Sequence, residues 1–140
     1  MKQVSEKLYV SPQLRADEIH QAKAKGFAAI INNRPDGEEP GQPGAAENRM
    51  LAHSEGLSYI HIPIVPGQIS EGHVRAFQKA VLEAGGPVLA HCKTGTRSAT
   101  LYAIGEVLDR RMGKDEVTRL GQRLGLDLSA AVKWLEANGH

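Results

Sequence analysis

Val88-Leu89-Ala90-His91-Cys92-Lys93-Thr94-Gly95-Thr96-Arg97-Ser98 sets the only cysteine of the chain between an apolar run and a helix start. Val88 to Ala90 reads as a buried strand, and the segment from Ser98 to about Arg111 as a helix with Leu101, Ile104 and Leu108 on one face. Gly95 supplies the backbone freedom that a tight turn between them requires. A thiol on such a turn faces converging backbone N–H groups and the positive end of a helix dipole. Lys93 and Arg97 add two cations within five residues of it. Each feature favours the thiolate, which is the nucleophilic form. Cys92 is therefore read as a catalytic nucleophile rather than as an ordinary buried thiol.

Outward from this turn, strands alternate with helices. Leu8-Tyr9-Val10, Phe27 to Ile31 and Ser58 to Ile62 read as strands. Helices are expected from about Ala16 to Lys25, Ala45 to Glu55 and Ser70 to Ala84, with two more from about Asp115 to Leu124 and Leu128 to Ala137. The stretch from Asn33 to Gly44 is too rich in Gly and Pro for regular structure, and connections this long are usually functional. This alternation predicts a parallel α/β sheet with its ligand site at the carboxyl ends of the strands, where Cys92 stands, and makes the cysteine strand the last in sequence.

The 140 residues suit one domain spanning 1–140. Seventeen basic and sixteen acidic residues nearly cancel, which argues against nucleic acid as a partner. No apolar run reaches the roughly 20 residues of a membrane span, no signal-peptide core opens the chain, and a lone cysteine forms no internal disulfide, so a cytoplasmic location is expected. The six histidines show no zinc-helix spacing, and neither a metal nor any other cofactor is expected.

The order of elements resembles the dual-specificity branch of the protein-tyrosine-phosphatase fold, a three-layer α/β architecture with a central, mostly parallel sheet flanked by helices. More closely, the chain resembles the bacterial beta-lactamase-hydrolase-like family of phosphatase-like domains. The stretches that carry the likeness are Val10-Ser11-Pro12-Gln13-Leu14, Gly26-Phe27, Ile31 to Glu38 (Ile-Asn-Asn-Arg-Pro-Asp-Gly-Glu), Ile62-Pro63 and His91 through Ser98. Four residues separate Cys92 from Arg97, whereas the tyrosine-phosphatase signature has five. In length and composition the loop resembles that of single-domain rhodaneses. The resemblance implies either phosphatase or sulfurtransferase chemistry.

Arg97 is read as the anion-gripping residue, because its planar fork matches two oxygens of a phosphate, sulfonate or thiosulfate. Lys93, Thr94, Gly95 and Thr96 would line the anion nest. Ser98 is read as a helix cap, as a hydrogen-bond donor to the Cys92 sulfur as in related phosphatases, or as both. By resemblance, His91 orients the loop. Phosphatases of this type protonate the leaving oxygen with an aspartate roughly thirty residues before the cysteine, but Ile60 to Gln68 contains no carboxylate. Asp36 is the remaining candidate acid, with a turn aspartate as the simpler explanation. Glu71 is better explained as a first-turn helix residue. Arg34 is expected to add positive charge if its loop folds across the site.

Sulfur transfer needs no general acid, because sulfite or a thiolate leaves as an anion. The leading expectation is therefore a rhodanese-type sulfurtransferase that forms a persulfide on Cys92 from thiosulfate or a small-thiol persulfide, with a sulfur-metabolism enzyme as a conceivable partner. The alternative is hydrolysis of aryl or acyl phosphates, or of phosphotyrosine, through a phosphocysteine. An anion-binding or thiol redox-sensing module is the second alternative.

Overall fold

The computed structural model describes all residues from Met1 to His140. Its elements in chain order are β1 (Lys2–Gln3), β2 (Leu8–Ser11), α1 (Ala16–Ala24), β3 (Ala29–Asn32), α2 (Ala45–Ser54), β4 (Ser58–His61), α3 (Glu71–Glu83), β5 (Val88–His91), α4 (Thr96–Leu108), α5 (Lys114–Leu124) and α6 (Ser129–Ala137). The sheet order is β1-β2-β5-β3-β4. All neighbours are parallel except β1, which lies antiparallel to β2 at the edge.

The strand that carries the cysteine is central, with β2 on one side and β3 on the other. Both β3 and β5 are buried at all four positions, as a parallel sheet covered on both faces requires. Side chains alternate between the faces with the period of two that a strand imposes. Leu8, Val10, Ala29, Ile31, Val88 and Ala90 enter the larger core, where α3, α4, α5 and α6 supply Val74, Phe77, Leu101, Ile104, Val117, Leu120 and Leu135. Ile30, Tyr59 and Leu89 enter the smaller core, where α1 and α2 supply Ile19, Ala22 and Ala52. The result is the three-layer, tyrosine-phosphatase-like α/β fold expected from the sequence, in its mostly parallel form.

Several boundaries differ from the sequence reading. β3 starts two residues later than Phe27 and extends to Asn32, because Phe27 and Ala28 make turn bonds to Ala22 and Pro87 carbonyls before the ladder begins. α4 begins at Thr96, not Ser98, and ends at Leu108, where Arg110 takes a left-handed φ of 59°. β1 has no periodicity to announce it. It is held from outside, by Arg123 donating to the carbonyl oxygens of Gln3 and Val4 at 3.1 and 3.0 Å and by Lys2 Nζ donating to the Leu124 carbonyl. No helix is long and apolar enough to cross a membrane.

At the carboxyl end of the sheet, the last residues of four strands stand in register. Ser11 pairs with His91, His91 with Asn32, and Asn32 with His61. This row of polar side chains caps the apolar sheet and forms the floor from which the cysteine loop rises.

Candidate active site

Cys92 follows β5 directly and is fully buried. The loop reverses through Gly95, whose φ of 97° lies in the left-handed region that L side chains avoid. A Cβ there would meet the Ser11 backbone at 3.5 Å, an ordinary contact, so it is the backbone conformation and not the space that selects glycine. The reversal aims Gly95 N–H at the Cys92 sulfur, which accepts it at 3.0 Å, and makes Gly95 the N-cap of α4. The thiol therefore sits at a helix N-terminus with a backbone donor on it. Gln13 N–H ties the loop to the segment after β2 by donating to the Lys93 carbonyl at 3.2 Å. Thr94 and Thr96 share a hydroxyl–hydroxyl bond of 3.1 Å at the rim, and Lys93 is exposed.

Arg97 lies in the first turn of α4 with its side chain 15 % exposed. Its Nη1 donates to Glu38 Oε2 and to the Ile64 carbonyl, both at 2.8 Å, and its Nη2 donates to Glu38 Oε1 at 2.9 Å. The stretch after β3 thus reaches across to the cysteine loop, and it does so with carboxylates. Glu38 Oε1 also accepts from Arg34 Nε at 2.8 Å, and Glu39 accepts from Arg34 Nη2 at 2.6 Å while standing 3.7 Å from Lys93 Nζ. Held between two guanidinium groups, Arg97 first and then Arg34, the Glu38 carboxyl is pulled down from an ordinary 4.5 to about 2. It is ionised at any physiological pH.

Arg34 therefore does not add free positive charge over the site. Its side chain is 3 % exposed, and each of its three nitrogens donates within the fold, Nε to Glu38, Nη1 to Gln13 and Nη2 to Glu39, so its charge faces two carboxylates. Asp36 is likewise occupied elsewhere: its Oδ1 accepts from Ala45 N–H at 2.9 Å, at the first turn of α2. This is a capping contact at a helix N-terminus, in keeping with the simpler reading of Asp36 as a turn aspartate, and it engages one of its two carboxylate oxygens. Asp36→Ala is expected to lower stability by about 0.5–2 kcal/mol, as loss of a cap does. Asp36→Asn should keep the cap and leave the ratio of aryl to alkyl phosphate hydrolysis unchanged, which parallel assays on the two ester types would check. Glu71 points to solvent and pairs with Arg75 at 3.5 Å.

Ser98 also departs from expectation. Its hydroxyl donates to Asn33 Oδ1 at 2.7 Å, and Asn33 Nδ2 donates to the Ile62 carbonyl at 3.0 Å, which fixes the orientation of that amide. A hydroxyl has one proton to give, so Ser98 is not a donor to the Cys92 sulfur in this arrangement. His91 is wholly buried, with Nδ1 making only a long 3.4 Å contact to the Cys92 carbonyl and Nε2 unpartnered. Burial, helped by the nearby His61 and Arg34, pushes its pKa down from 6.5 to about 4. It is neutral at pH 7 and takes no part in charge balance there.

The consequence of a buried neutral histidine is a stability loss on mild acidification. Between pH 6.5 and about 4 the unfolded chain takes up a proton that the folded chain refuses. Stability from this group is thus complete above 6.5 and falls towards 4, by up to about 1.4 kcal/mol per pH unit. Denaturant unfolding across this range should show the decline in wild type and its reduction in His91→Asn.

Glu38, Glu39, Asn33, Gln13 and His61, which donates from Nε2 to the Arg34 carbonyl at 2.8 Å, were not singled out as site residues from the sequence. The available signal was the pair of adjacent carboxylates in a breaker-rich connection next to two strand ends.

Residues 1–109 match the model of the phosphatase-like domain of beta-lactamase hydrolase-like proteins. The chain is 45 % identical over 133 residues to the beta-lactamase hydrolase-like protein of Agrobacterium fabrum, covering 95 % of this chain and 31 % of that protein. It therefore spans about a third of the length of this curated relative. Among solved structures, one described as a candidate phosphatase from Neisseria meningitidis is 33 % identical with a TM-score of 0.85, covering 97 % of this chain and 96 % of that one. Tk-PTP in its active form superposes with a TM-score of 0.72 over 97 % of this chain and 93 % of its own, at 21 % identity, a likeness of fold. With a cysteine on a strand-to-helix turn, an arginine five residues on and this match over most of its length, the chain belongs to the family of phosphatase-like domains of beta-lactamase hydrolase-like proteins.

Proposed function

We propose that this domain is a cysteine-dependent phosphatase that acts on phosphate esters or anhydrides with good leaving groups, aryl and acyl phosphates, through a phosphocysteine on Cys92. The observation that carries the reading is the Cys92 sulfur at the N-terminus of α4 with Gly95 N–H on it at 3.0 Å and Arg97 in the same turn. The relatives are described as phosphatases or phosphatase-like, and this moves the leading reading from sulfur to phosphoryl transfer.

In the proposed reaction the Cys92 thiolate attacks phosphorus, an S–P bond forms and the P–O bond to the leaving group breaks. The backbone amides of Lys93 to Arg97 and the Arg97 fork hold the charge on the phosphoryl oxygens. A phenolate or carboxylate departs without needing a proton. Water then attacks phosphorus, the S–P bond breaks, and inorganic phosphate and the thiolate are released. The restriction to good leaving groups follows from the carboxylates: Asp36 caps α2, Glu71 pairs with Arg75, and Glu38 is ionised. With no proton donor at the leaving oxygen, alkyl esters should be slower than aryl esters by about 10²–10⁴ beyond what their solution reactivity dictates. Equal efficiency on alkyl and aryl phosphates would overturn the restriction.

Sulfur transfer is the second reading, favoured by the four-residue spacing between Cys92 and Arg97 and by the same want of an acid. Here Cys92 takes the outer sulfur of thiosulfate and sulfite leaves with the electron pair of the broken S–S bond. The two readings separate in one experiment, the intact mass of the reduced protein after brief exposure to thiosulfate or, with an acid quench, to an acyl phosphate. A phosphoryl adduct on wild type that Cys92→Ser lacks supports the first. A gain of one sulfur, reversed by a thiol, supports the second. We place the domain in the cytoplasm, where a lone thiol stays reduced.

A further inference from the structure

The connections after β2, β3, β4 and β5, with the first turns of α1 to α4, lie together at the carboxyl end of the sheet. Three of them touch the cysteine loop or its helix: Gln13 N–H donates to the Lys93 carbonyl, and Glu38 and the Ile64 carbonyl accept from Arg97. These segments, residues 12–19, 33–48, 62–74 and 92–99, hold seven carboxylates against four cations, Arg15, Arg34, Lys93 and Arg97. Their net charge is −3, in a chain whose total is +1. An anion site thus opens into a negatively charged surround.

None of the four cations lacks an acid. Arg15 pairs with Asp17 at 3.1 Å, Arg34 with Glu38 and Glu39 at 2.8 and 2.6 Å, Lys93 with Glu39 at 3.7 Å, and Arg97 with Glu38 at 2.8 Å. The next cations along the helices are engaged too, Arg75 by Glu71 and Asp109, and Arg49 over the Tyr59 ring.

The acids have two origins. Asp17, Glu18, Glu47 and Glu71 stand in first turns, where the helix dipole favours a carboxylate. Of these four helices only α4, which follows Cys92, has no acid in its first turn. Glu38 and Glu39 lie outside any helix, and the more exposed Glu39 stands over Lys93, the residue after the nucleophile. Arg97 and Arg34 lower the Glu38 carboxyl, and Arg34 and Lys93 lower that of Glu39, so both are charged at pH 7. Each such charge acts on a ligand within a Debye length, about 8–10 Å. The loop amides and Arg97 suffice for one phosphoryl group. A second anionic group on the same molecule would meet carboxylates, with no cation left to receive it. Unfavourable neighbours select a ligand as effectively as favourable ones.

We infer that the substrate of this site is a monophosphate whose remaining part bears no negative charge and is favoured by a positive one, with Glu39 imposing the preference at the rim. The inference rests on the proposed phosphatase reading and narrows its substrate class. Nucleoside di- and triphosphates and other polyphosphates fall outside that class.

The test is calorimetric binding of phenylphosphonate and its para-trimethylammonium and para-carboxylate derivatives, at a pH that keeps every phosphonate fully ionised. At low salt the ammonium compound should bind about threefold to tenfold more tightly than phenylphosphonate and the carboxylate about tenfold more weakly, a spread that salt should shrink. Glu39→Gln leaves Lys93 without its acid and should narrow the spread, and Glu39→Lys should invert it. Affinities are compared within each variant, so a general loss of stability does not mimic these changes. A carboxylate compound bound by wild type as tightly as the unsubstituted one would overturn the inference, as would pyrophosphate bound more tightly than inorganic phosphate. Both comparisons use wild type and stand even if neither variant folds. Failure of all three phosphonates to bind would instead defeat the anion site. The expected order of binding without hydrolysis of any phenyl phosphate would defeat the phosphatase reading and leave the charge preference in place.

Discussion

Cys92→Ser should reduce turnover of an aryl phosphate by about 10⁴-fold or more, the scale on which loss of an enzyme's nucleophile is felt. The substitution changes one atom at a position that is fully buried and makes a single polar contact, from Gly95 N–H at 3.0 Å. A serine oxygen can accept that same bond, so the loop has no reason to rearrange. What is lost is nucleophilicity, since a thiol yields a useful fraction of thiolate near neutrality and a serine hydroxyl with no base beside it does not. The only histidine next to it, His91, has its pKa lowered to about 4 by burial and bonds to a carbonyl rather than to the residue 92 side chain. Steady-state assays of the two proteins, with circular dichroism to show equal folding, check the expectation. Activity within tenfold of wild type in the serine variant would remove Cys92 from the mechanism.

Arg97→Ala is expected to lower kcat/KM by about 10²–10³, the range for a donor aimed at charge that develops in a transition state. Two losses combine here: the guanidinium is no longer there to hold the anion, and Glu38 keeps only Arg34 as a partner. The second loss should appear separately, as a thermal destabilisation of about 1–3 kcal/mol from leaving a partly desolvated carboxylate underpaired. Arg97→Lys distinguishes charge from geometry. An ammonium restores the charge but cannot serve Glu38, the Ile64 carbonyl and two anion oxygens from one planar fork. It should recover less than a tenth of the lost kcat/KM. Full recovery in the lysine variant would mean that Arg97 acts as a point charge and that the planar geometry is idle.

The Glu38 clamp also makes a contribution that acid removes. Its carboxyl is depressed to about 2 in the fold against 4.5 in the unfolded chain, so the stability it confers is fully present above 4.5 and is lost as pH falls towards 2. Its window lies mostly below that of His91, the two overlapping only between about 4 and 4.5, so their main losses fall at different pH on one titration.

Most of the fold was legible in local pattern. The apolar runs at Leu8, Ala29, Ser58 and Val88 alternate with helix-length segments, and each such strand pairs parallel to the next in the sheet. Turn chemistry placed Cys92 at a strand end and made Gly95 the reversal, because only glycine takes a φ of 97° without strain. Ser70 was readable as a helix start, and its hydroxyl indeed accepts from His73 N–H at 3.2 Å. The boundaries of β3 and α4 were less legible, since residues such as Phe27 and Thr96 suit a turn, a strand or a helix end equally by type.

The sequence by itself determined the candidate nucleophile, the turn that carries it, the α/β class and the want of an acid between Ile60 and Gln68, all of them matters of residues close together in the chain. Only the tertiary structure decided what the distant carboxylates do. Asp36 and Glu38 are two residues apart and chemically alike, yet one caps α2 and the other grips Arg97 from 59 positions away. Likewise Ser98, adjacent to Arg97, spends its proton on Asn33 across 65 positions. Local rules cannot rank such partners, because the choice depends on which strand ends the parallel register sets side by side and on which charges are buried together. Burial makes each unpaired group costly enough that the pairing, once formed, is unique.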